Sequence, residues 1–548
     1  MKMAPKLLLP RHEFVNCVMT VATQRNRLLH LLSSEIFLEP FVAVTGSRNQ
    51  VMFCCAFLWH PPAKFTLLNW FCHWPAFVSI CWYIMTFSAA SGSARQKMVD
   101  NPYQLSADSV LEPPTTLSGS IKHLGPGLIL SASIVGSGEL IATTVMGAEA
   151  GFVTLWVILV SCLVKVAIQL EFGRHTIATG ETTMEALNQL PGPKFGKAHC
   201  SIWIWLALMT VKNLQLGGII GSVAGILMIA FPTTPSWIFL VGLSVAVSLL
   251  VSLGYYAVLE KASIVMTGLF TIFTLASVVM LQFTNFAISF GDVASGFTFQ
   301  LPAAAVVVAI GAFGITGVGG DEIMVYNYWL IEKGYARHTG PNDGSESWVR
   351  RAKGWIRIMY LDAILSMVIY TVVTLAFYLL GAAILNSQGL VPEKNIELVE
   401  TLSKIYTETL GDGARFAFLI GAFVVLFSTL FAALAAWTRL YGDALGQIGV
   451  YDFHNPTHRR NAIAFFAWMF PALWCVVYLF VKNPAFMVII GGVITTFILV
   501  LVVVAAIDFR CRRTIAALRP SVLFDVALGV SILAILGVAV KAAVSMFG

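Results

Sequence analysis

The stretch IVGSGELIA, Ile134 to Ala142, places glycines and a carboxylate inside one of the most apolar parts of the chain. A related stretch, GVGGDEIMV, Gly317 to Val325, lies in a second apolar run. Aligned without gaps, Gly136-Ser137-Gly138-Glu139 matches Gly319-Gly320-Asp321-Glu322. Glycine weakens a helix, and a carboxylate is costly in apolar surroundings. The repetition of this pattern indicates a matched pair of helix interruptions.

The composition indicates an integral membrane protein. Hydrophobic residues make up 58% and charged residues 11% of the chain, and the mean hydropathy is +0.81, whereas soluble domains have about 25% charged residues. The net charge of +6 is spread between apolar runs, so it predicts a lipid bilayer and no nucleic acid as partner. The nine cysteines lack the spacing of a zinc site and are interpreted as free thiols.

About eleven apolar segments are long enough to cross a bilayer as helices. They lie at 125–150, 152–172, 201–230, 236–256, 263–284, 303–331, 356–385, 414–438, 461–481, 485–507 and 521–546. We therefore predict an all-α integral membrane protein with one transporter domain at 123–548.

Residues 1–97 differ in character, being rich in Cys, Trp and His. We interpret them as an N-terminal extension, either a leader upstream of a functional start near Met98 or one extra helix. Residues 98–122 form a polar lead that we place in the cytoplasm. In that orientation most loop Lys and Arg residues fall inside, and only Lys394, Lys404, Arg415 and Lys482 fall outside, as the positive-inside rule requires. The expected location is a plasma membrane or a bacterial inner membrane.

The two motifs lie in the first and sixth spans, which predicts an internal repeat of five plus five helices. Because five is odd, the second copy enters the membrane in the opposite orientation. We assign repeat one to about 123–284, repeat two to about 303–507, and an extra helix to about 521–546. Inverted repeats with interrupted first helices are typical of secondary transporters, which hold their cargo at the bilayer midplane.

The predicted site lies where the two interruptions meet. Carboxylates and freed backbone carbonyls would form an oxygen cage suited to a hard cation. The alternative is that the glycines serve helix packing and the acids are protonated or paired with lysine. The expected metal ligands are Glu139, Asp321 and Glu322; the expected backbone contributors are Gly136, Ser137, Gly138, Thr316, Gly319 and Gly320; Lys165 and Lys212 are candidate gates or counter-ions.

The segment GPGLILSASIVGSGELIATTVMGAEAGFVTLW resembles the first two spans of the Nramp family of divalent-metal transporters. This resemblance implies the inverted-repeat fold called LeuT-like. The family has Asp-Pro-Gly-Asn where this chain has Gly136 to Glu139, and Met-Pro-His-Asn where it has Gly319 to Glu322. Gln215 and Gly218 stand where the family has the acids of its proton path.

These observations predict a secondary transporter of divalent metal cations that works by alternating access. The resemblance implies manganese or iron, whereas loss of the thioether ligand favours magnesium or another hard ion. The alternative is a cation-coupled symporter of an amino acid or small organic solute. The chain has no HExxH, GxSxG or P-loop motif, so we expect neither an enzyme nor direct ATP drive. No cofactor or protein partner is expected; the metal is cargo, and protons could be the coupling ion.

Overall fold

A computed structural model describes residues 101–252, 256–391 and 395–547. These residues belong to one compact unit and are almost entirely helical. The expectation for residues 1–97 lies outside the described residues.

Helices of the first half carry the first repeat. They are α1 (Leu117–Ile121), α2 (Pro126–Ile134), α3 (Thr144–Ala150), α4 (Leu155–Thr179), α5 (Thr183–Asn188), α6 (Cys200–Ala230), α7 (Ser236–Ser252) and α8 (Tyr256–Leu281). A π-helix (Val135–Thr143) joins α2 to α3, and short 3-10 turns lie at Ala107–Ser109 and Gly151–Thr154. Strands β1 (Lys194–Phe195) and β2 (Ala198–His199) form a small antiparallel hairpin in which Lys194 faces His199.

Helices of the second half repeat this pattern. They are α9 (Phe290–Ser295), α10 (Val306–Ile315), α11 (Gly320–Lys333), α12 (Tyr335–Thr339), α13 (Glu346–Leu380), α14 (Asn395–Leu410), α15 (Ala414–Ile448), α16 (Pro456–Val481), α17 (Pro484–Asp508) and α18 (Val522–Phe547). Two π-helices (Gly381–Asn386 and Phe509–Arg513) and two 3-10 turns (Ala303–Ala305 and Ala516–Leu518) complete the chain.

Every predicted span coincides with a helix. In the described residues, eight helical stretches are long and apolar enough to cross a membrane, and two shorter apolar helices lie at Ser236–Ser252 and Thr267–Leu281. The first of the eight, Gly138–Thr179, contains parts of two predicted spans. The two parts meet at Gly151, whose positive φ of 62° turns the chain. The prediction of an all-α membrane protein is confirmed.

The first interruption differs from the prediction. We expected the glycines near Gly136 to unwind span one, but the segment stays helical and widens into a π-helix. A π-helix keeps its backbone groups hydrogen-bonded within the segment, so no unwinding is needed. A Cβ at Gly136 would overlap the Thr429 hydroxyl and the Val425 carbonyl on α15. The glycine therefore allows close helix packing, which was the alternative reading of the motif.

The second interruption is a true break. Helix α10 ends at Ile315 and α11 begins at Gly320, with non-helical backbone between them. Gly317 has φ of 64°, in the left-handed region that favours glycine. The N–H of Gly319 donates to Glu322 Oε2 at 2.6 Å, which caps the start of α11. Span six thus consists of two half-helices.

Helix α17 holds the broken span in place by packing against α10, α11 and α6. A Cβ at Gly314 would overlap the carbonyl of Gly492, and a Cβ at Gly492 would overlap the carbonyl of Gly311. Small residues at such a contact let two helix backbones approach closely in a membrane. Helix α15 packs against the π-helix of span one and against α6, so α6, α15 and α17 surround the two motifs.

Residues 101–113, which we call the lead segment, lie against one end of the bundle. The Tyr103 hydroxyl donates to Glu332 Oε1 on α11 at 2.7 Å. The N–H of Leu111 donates to the carbonyl of His338 at 3.0 Å, and its carbonyl accepts from Trp355 Nε1 at 3.0 Å. The predicted polar lead is therefore attached to α11, α12 and α13.

Candidate functional site

The two motifs lie against each other. Glu139 in the π-helix accepts a hydrogen bond through Oε1 from the N–H of Gly317 in the break, at 3.2 Å. A Cβ added at Gly138 would lie 3.1 Å from the carbonyl of Ile315. The first carboxylate of the predicted site therefore binds the backbone of the other span.

Beside this contact lies a cavity. The space in it that the centres of water molecules can occupy is about 40 Å³. Its polar side chains come from α2, α6, α11 and α15. The lining comprises Ile129, Leu130, Ser133, Ile134, Lys212, Gln215, Leu216, Ile219, Ile315, Gly319, Asp321, Glu322, Val325, Trp329, Thr429, Ala432, Ala433, Ala436 and Trp437. The set contains carboxylate, amide and hydroxyl groups and no sulfur or imidazole.

Asp321 is buried and has partners on both oxygens. Its Oδ1 accepts from the Lys212 ammonium on α6, and its Oδ2 accepts from Trp437 Nε1 on α15 at 3.0 Å. It also lies in the first turn of α11, where the helix dipole favours a negative charge. The aspartate therefore links three helices across the cavity.

Glu322 and Glu139 have fewer partners. Glu322 is half-buried and accepts from the N–H of Gly319. Glu139 is fully buried, and its Oε2 makes no hydrogen bond in the described part of the protein. A buried carboxylate oxygen without a donor is costly, so this oxygen is available to a ligand.

Lys165, on α4, occupies the break of span six. Its ammonium donates to the carbonyls of Phe313, Gly314 at 3.3 Å and Thr316 at 2.7 Å. The Thr316 hydroxyl donates to Ser161 Oγ at 2.7 Å. The carbonyl of Thr316, expected to face the cargo, therefore binds a lysine in this conformation.

The structure brings together only part of the predicted site. Asp321, Glu322, Gly319 and Lys212 line the cavity, whereas Glu139, Lys165, Gly136, Gly138, Thr316 and Gly320 are not among its lining residues. Ser137 contributes backbone to the π-helix, and its side chain is outside the description. Within the described ranges, no group of three or more His, Cys, Asp or Glu residues is arranged to hold a metal ion. The oxygen cage expected from Glu139, Asp321 and Glu322 is not assembled here.

Several polar residues of the cavity were not predicted as ligands, among them Gln215 and Trp437. Gln215, which stands where the family has an acid, lines the cavity, and its buried Oε1 makes no hydrogen bond within the described ranges. Trp437 donates to Asp321. Lys212, Gln215, Leu216 and Ile219 follow helical spacing along one face of α6, and this face was the signal in the sequence that could have identified Gln215.

The broken span six, packed against the π-helix of span one with a cavity between them, is typical of a membrane transporter of the LeuT-like class. A family model described as "Nramp: Natural resistance-associated macrophage protein-like" matches residues 127–545. The chain belongs to the Nramp family, a family of transporters and not of enzymes.

Solved structures support the fold. The Eremococcus coleocola manganese transporter, in complex with an aromatic bis-isothiourea substituted compound, has 15% sequence identity and a TM-score of 0.54, over 83% of this chain and 92% of that one. MhsT in complex with L-phenylalanine has 15% identity and a TM-score of 0.50, over 79% of this chain and 100% of that one. At these identities the likeness concerns the fold alone.

One curated relative is an uncharacterized protein of Pasteurella multocida (strain Pm70). It is 26% identical over 365 residues, which cover 64% of this chain and 77% of the relative.

Proposed function

We propose that this protein is a secondary transporter of divalent metal cations that works by alternating access. The observation that carries the proposal is the cavity between the two motif-bearing spans, which presents Asp321, Glu322 and the amide oxygen of Gln215. Family membership supports the same class of cargo. Carboxylate and amide oxygens are the donors that a hard, doubly charged ion prefers.

The donor set favours a hard ion. Manganese and iron remain the expectation from the family, but the cavity lining lacks the sulfur and imidazole ligands that favour transition metals. We therefore propose magnesium, or another hard divalent ion, as the preferred cargo. The space open to the centres of water molecules is only about 40 Å³, which fits a partly hydrated ion better than an amino acid.

Cargo binding requires an exchange at Asp321. The Lys212 ammonium already binds the carboxylate that we assign to the cargo. A divalent ion that displaces this ammonium would gain two carboxylates, and the freed lysine would turn towards other acceptors. Lys212 is then an internal competitor of the cargo. Glu139, which here accepts a hydrogen bond from Gly317 in the break, supplies a further carboxylate in states where the two spans separate.

The test is ion uptake into proteoliposomes that contain a metal-sensitive dye. We expect uptake of magnesium and manganese by the wild type, and a loss of at least about tenfold in Glu322→Gln. The matched control is Asp292→Asn, on the exposed turn α9, where the acid only caps its own helix. Absence of uptake for magnesium, manganese and calcium, together with accumulation of a labelled amino acid, would replace this proposal with the symporter alternative.

We further propose that the lead segment and the loop after α12 face the cytoplasm. Both lie at one end of the bundle, because Leu111 binds His338, and the loop leads into Arg350, Arg351 and Lys353. The exposed Asp343 replaced by cysteine in a cysteine-free background should react with an impermeant maleimide only after the cells are opened. Labelling in intact cells would reverse the orientation.

A further inference from the structure

Lys165 is fully buried near the middle of a membrane-spanning helix, yet it has no carboxylate partner within ion-pair distance among the described residues. Its partners are the carbonyls of Phe313, Gly314 and Thr316. A lysine ammonium has three donors, and here each has a backbone oxygen. The charge is stabilised by these carbonyl dipoles and by the ring of Phe313, whose centroid lies 5.0 Å from the ammonium.

These carbonyls are exposed because span six breaks. The last turn of α10 leaves carbonyls without amide partners, and the C-terminal end of a helix carries a partial negative charge. The Ser161 hydroxyl lies within donating distance of two of these carbonyls, 2.9 Å from that of Phe313 and 3.1 Å from that of Thr316. A hydroxyl has one proton, so without a cation Ser161 would serve only one of these carbonyls at a time and the others would lack a positive partner.

Converging carbonyls at the end of a half-helix form the kind of site that binds a monovalent cation in transporters with broken helices. An ammonium group and a potassium ion carry the same charge and are bound by similar sets of oxygen atoms. We propose that the Lys165 ammonium is a tethered cation that permanently fills a monovalent-cation site at the break of span six. The protein then needs no sodium or potassium ion to stabilise this break, and removal of the lysine creates a site for a free cation.

The experiment measures the melting temperature of the purified full-length protein in choline, sodium, potassium and methylammonium chloride at equal ionic strength. The wild type should melt at the same temperature in all four salts. Lys165→Ala should melt lower in choline, by about 5 °C or more, and should recover with increasing methylammonium or alkali cation, because a ligand that binds only the folded state stabilises it. Lys165→Met fills the space without a charge, so it should melt lower and show no recovery.

Three results would overturn the inference: a wild type stabilised by sodium or potassium over choline, a folded Lys165→Ala that responds to none of the cations, or a Lys165→Met as stable as the wild type. If Lys165→Ala cannot be obtained folded, the wild type and Lys165→Met still decide the matter. The readout is thermal stability, so it is independent of the transported cargo. Failure here would leave the proposed transport function untouched.

Discussion

The motifs of span one and span six align residue for residue, but they fold differently. Span one keeps a continuous helix by widening into the π-helix Val135–Thr143, whereas span six separates into α10 and α11. In span one, Gly136 packs against α15. In span six, Gly317 adopts a positive φ and the backbone leaves the helix.

This difference determines which of the two motifs needs cationic side chains to bind its exposed oxygens. The π-helix retains its backbone hydrogen bonds, and a side chain of the segment, Glu139, even binds the N–H of Gly317 in the opposite break. The break of span six exposes carbonyls, and Lys165 binds them. The acid of span six, Asp321, stands opposite Gly138 in the alignment and draws in Lys212. The span-one copy of the motif, which we call the packed half, serves close helix contact. The span-six copy, which we call the charged half, holds the ion pair and the carbonyls bound by Lys165.

The largest effect is expected from Asp321→Asn in the charged half. The change removes the negative partner of the buried Lys212, and loss of one partner of a buried pair costs about 3–5 kcal/mol. We expect a correspondingly lower melting temperature of the purified protein. The double variant Asp321→Asn, Lys212→Met should be more stable than Asp321→Asn alone, since it removes the orphaned charge. Equal stability of Asp321→Asn and wild type would contradict the pairing.

The next effect concerns the packed half. In Gly136→Ala the new methyl group meets the hydroxyl of Thr429 and the carbonyl of Val425, and overpacking of this kind costs about 1–3 kcal/mol. Thermal unfolding should show the loss. The matched control is Gly242→Ala on α7, where a Cβ meets nothing within 4 Å and the helix should gain slightly. If both alanines behave alike, the close contact with α15 does not hold the π-helix.

A third, smaller effect separates the two kinds of interruption directly. A Cβ at Gly317 and one at Gly138 would each meet a neighbour at 3.1 Å, but only Gly317 has a positive φ. Gly317→Ala should therefore lose a further ~1–2 kcal/mol for the left-handed backbone compared with Gly138→Ala. Unfolding of the two variants side by side measures this difference. A larger loss in Gly138→Ala would mean that the strained backbone lies in span one.

The smallest change in stability is expected from Glu139→Gln. The Oε1 contact with Gly317 can remain, and removal of a buried charge offsets the cost of the new amide, so the free energy of unfolding should change by less than ~1 kcal/mol. Affinity for a divalent ion should nevertheless fall about tenfold, about 1.4 kcal/mol, if Glu139 acts as a ligand. Calorimetric titration with magnesium and manganese measures it. Unchanged affinity would leave Glu139 only the role of binding the break.

The sequence was sufficient for the architecture. Span positions follow from segments of apolar residues of membrane length, and the inverted repeat follows from two motifs separated by an odd number of spans. Both depend on local composition and on the order of residues, which can be read directly from the sequence. The family resemblance in spans one and two pointed to the same fold, and the family match confirms it.

The pairings inside the membrane could not be predicted. Whether a glycine-rich turn widens or breaks depends on its neighbours, here Thr429 beside Gly136 and Lys165 beside Thr316. Which lysine binds the acid depends on how α4 and α6 pack around α11, and the order of residues along each helix does not specify that packing. Lys165 and Lys212 were recognised as unusual, but their different partners, backbone carbonyls and a carboxylate, are a property of the packed helices.

Helix α11 carries Asp321 in its first turn and Glu332 near its other end. A helix of 14 residues is about 21 Å long, so one rigid rod joins the cavity to the surface where Tyr103 of the lead segment binds Glu332. Arg439 on α15 also binds Glu332, through Nε at 2.6 Å. Loss of the Tyr103 contact would therefore act on the cavity through α11.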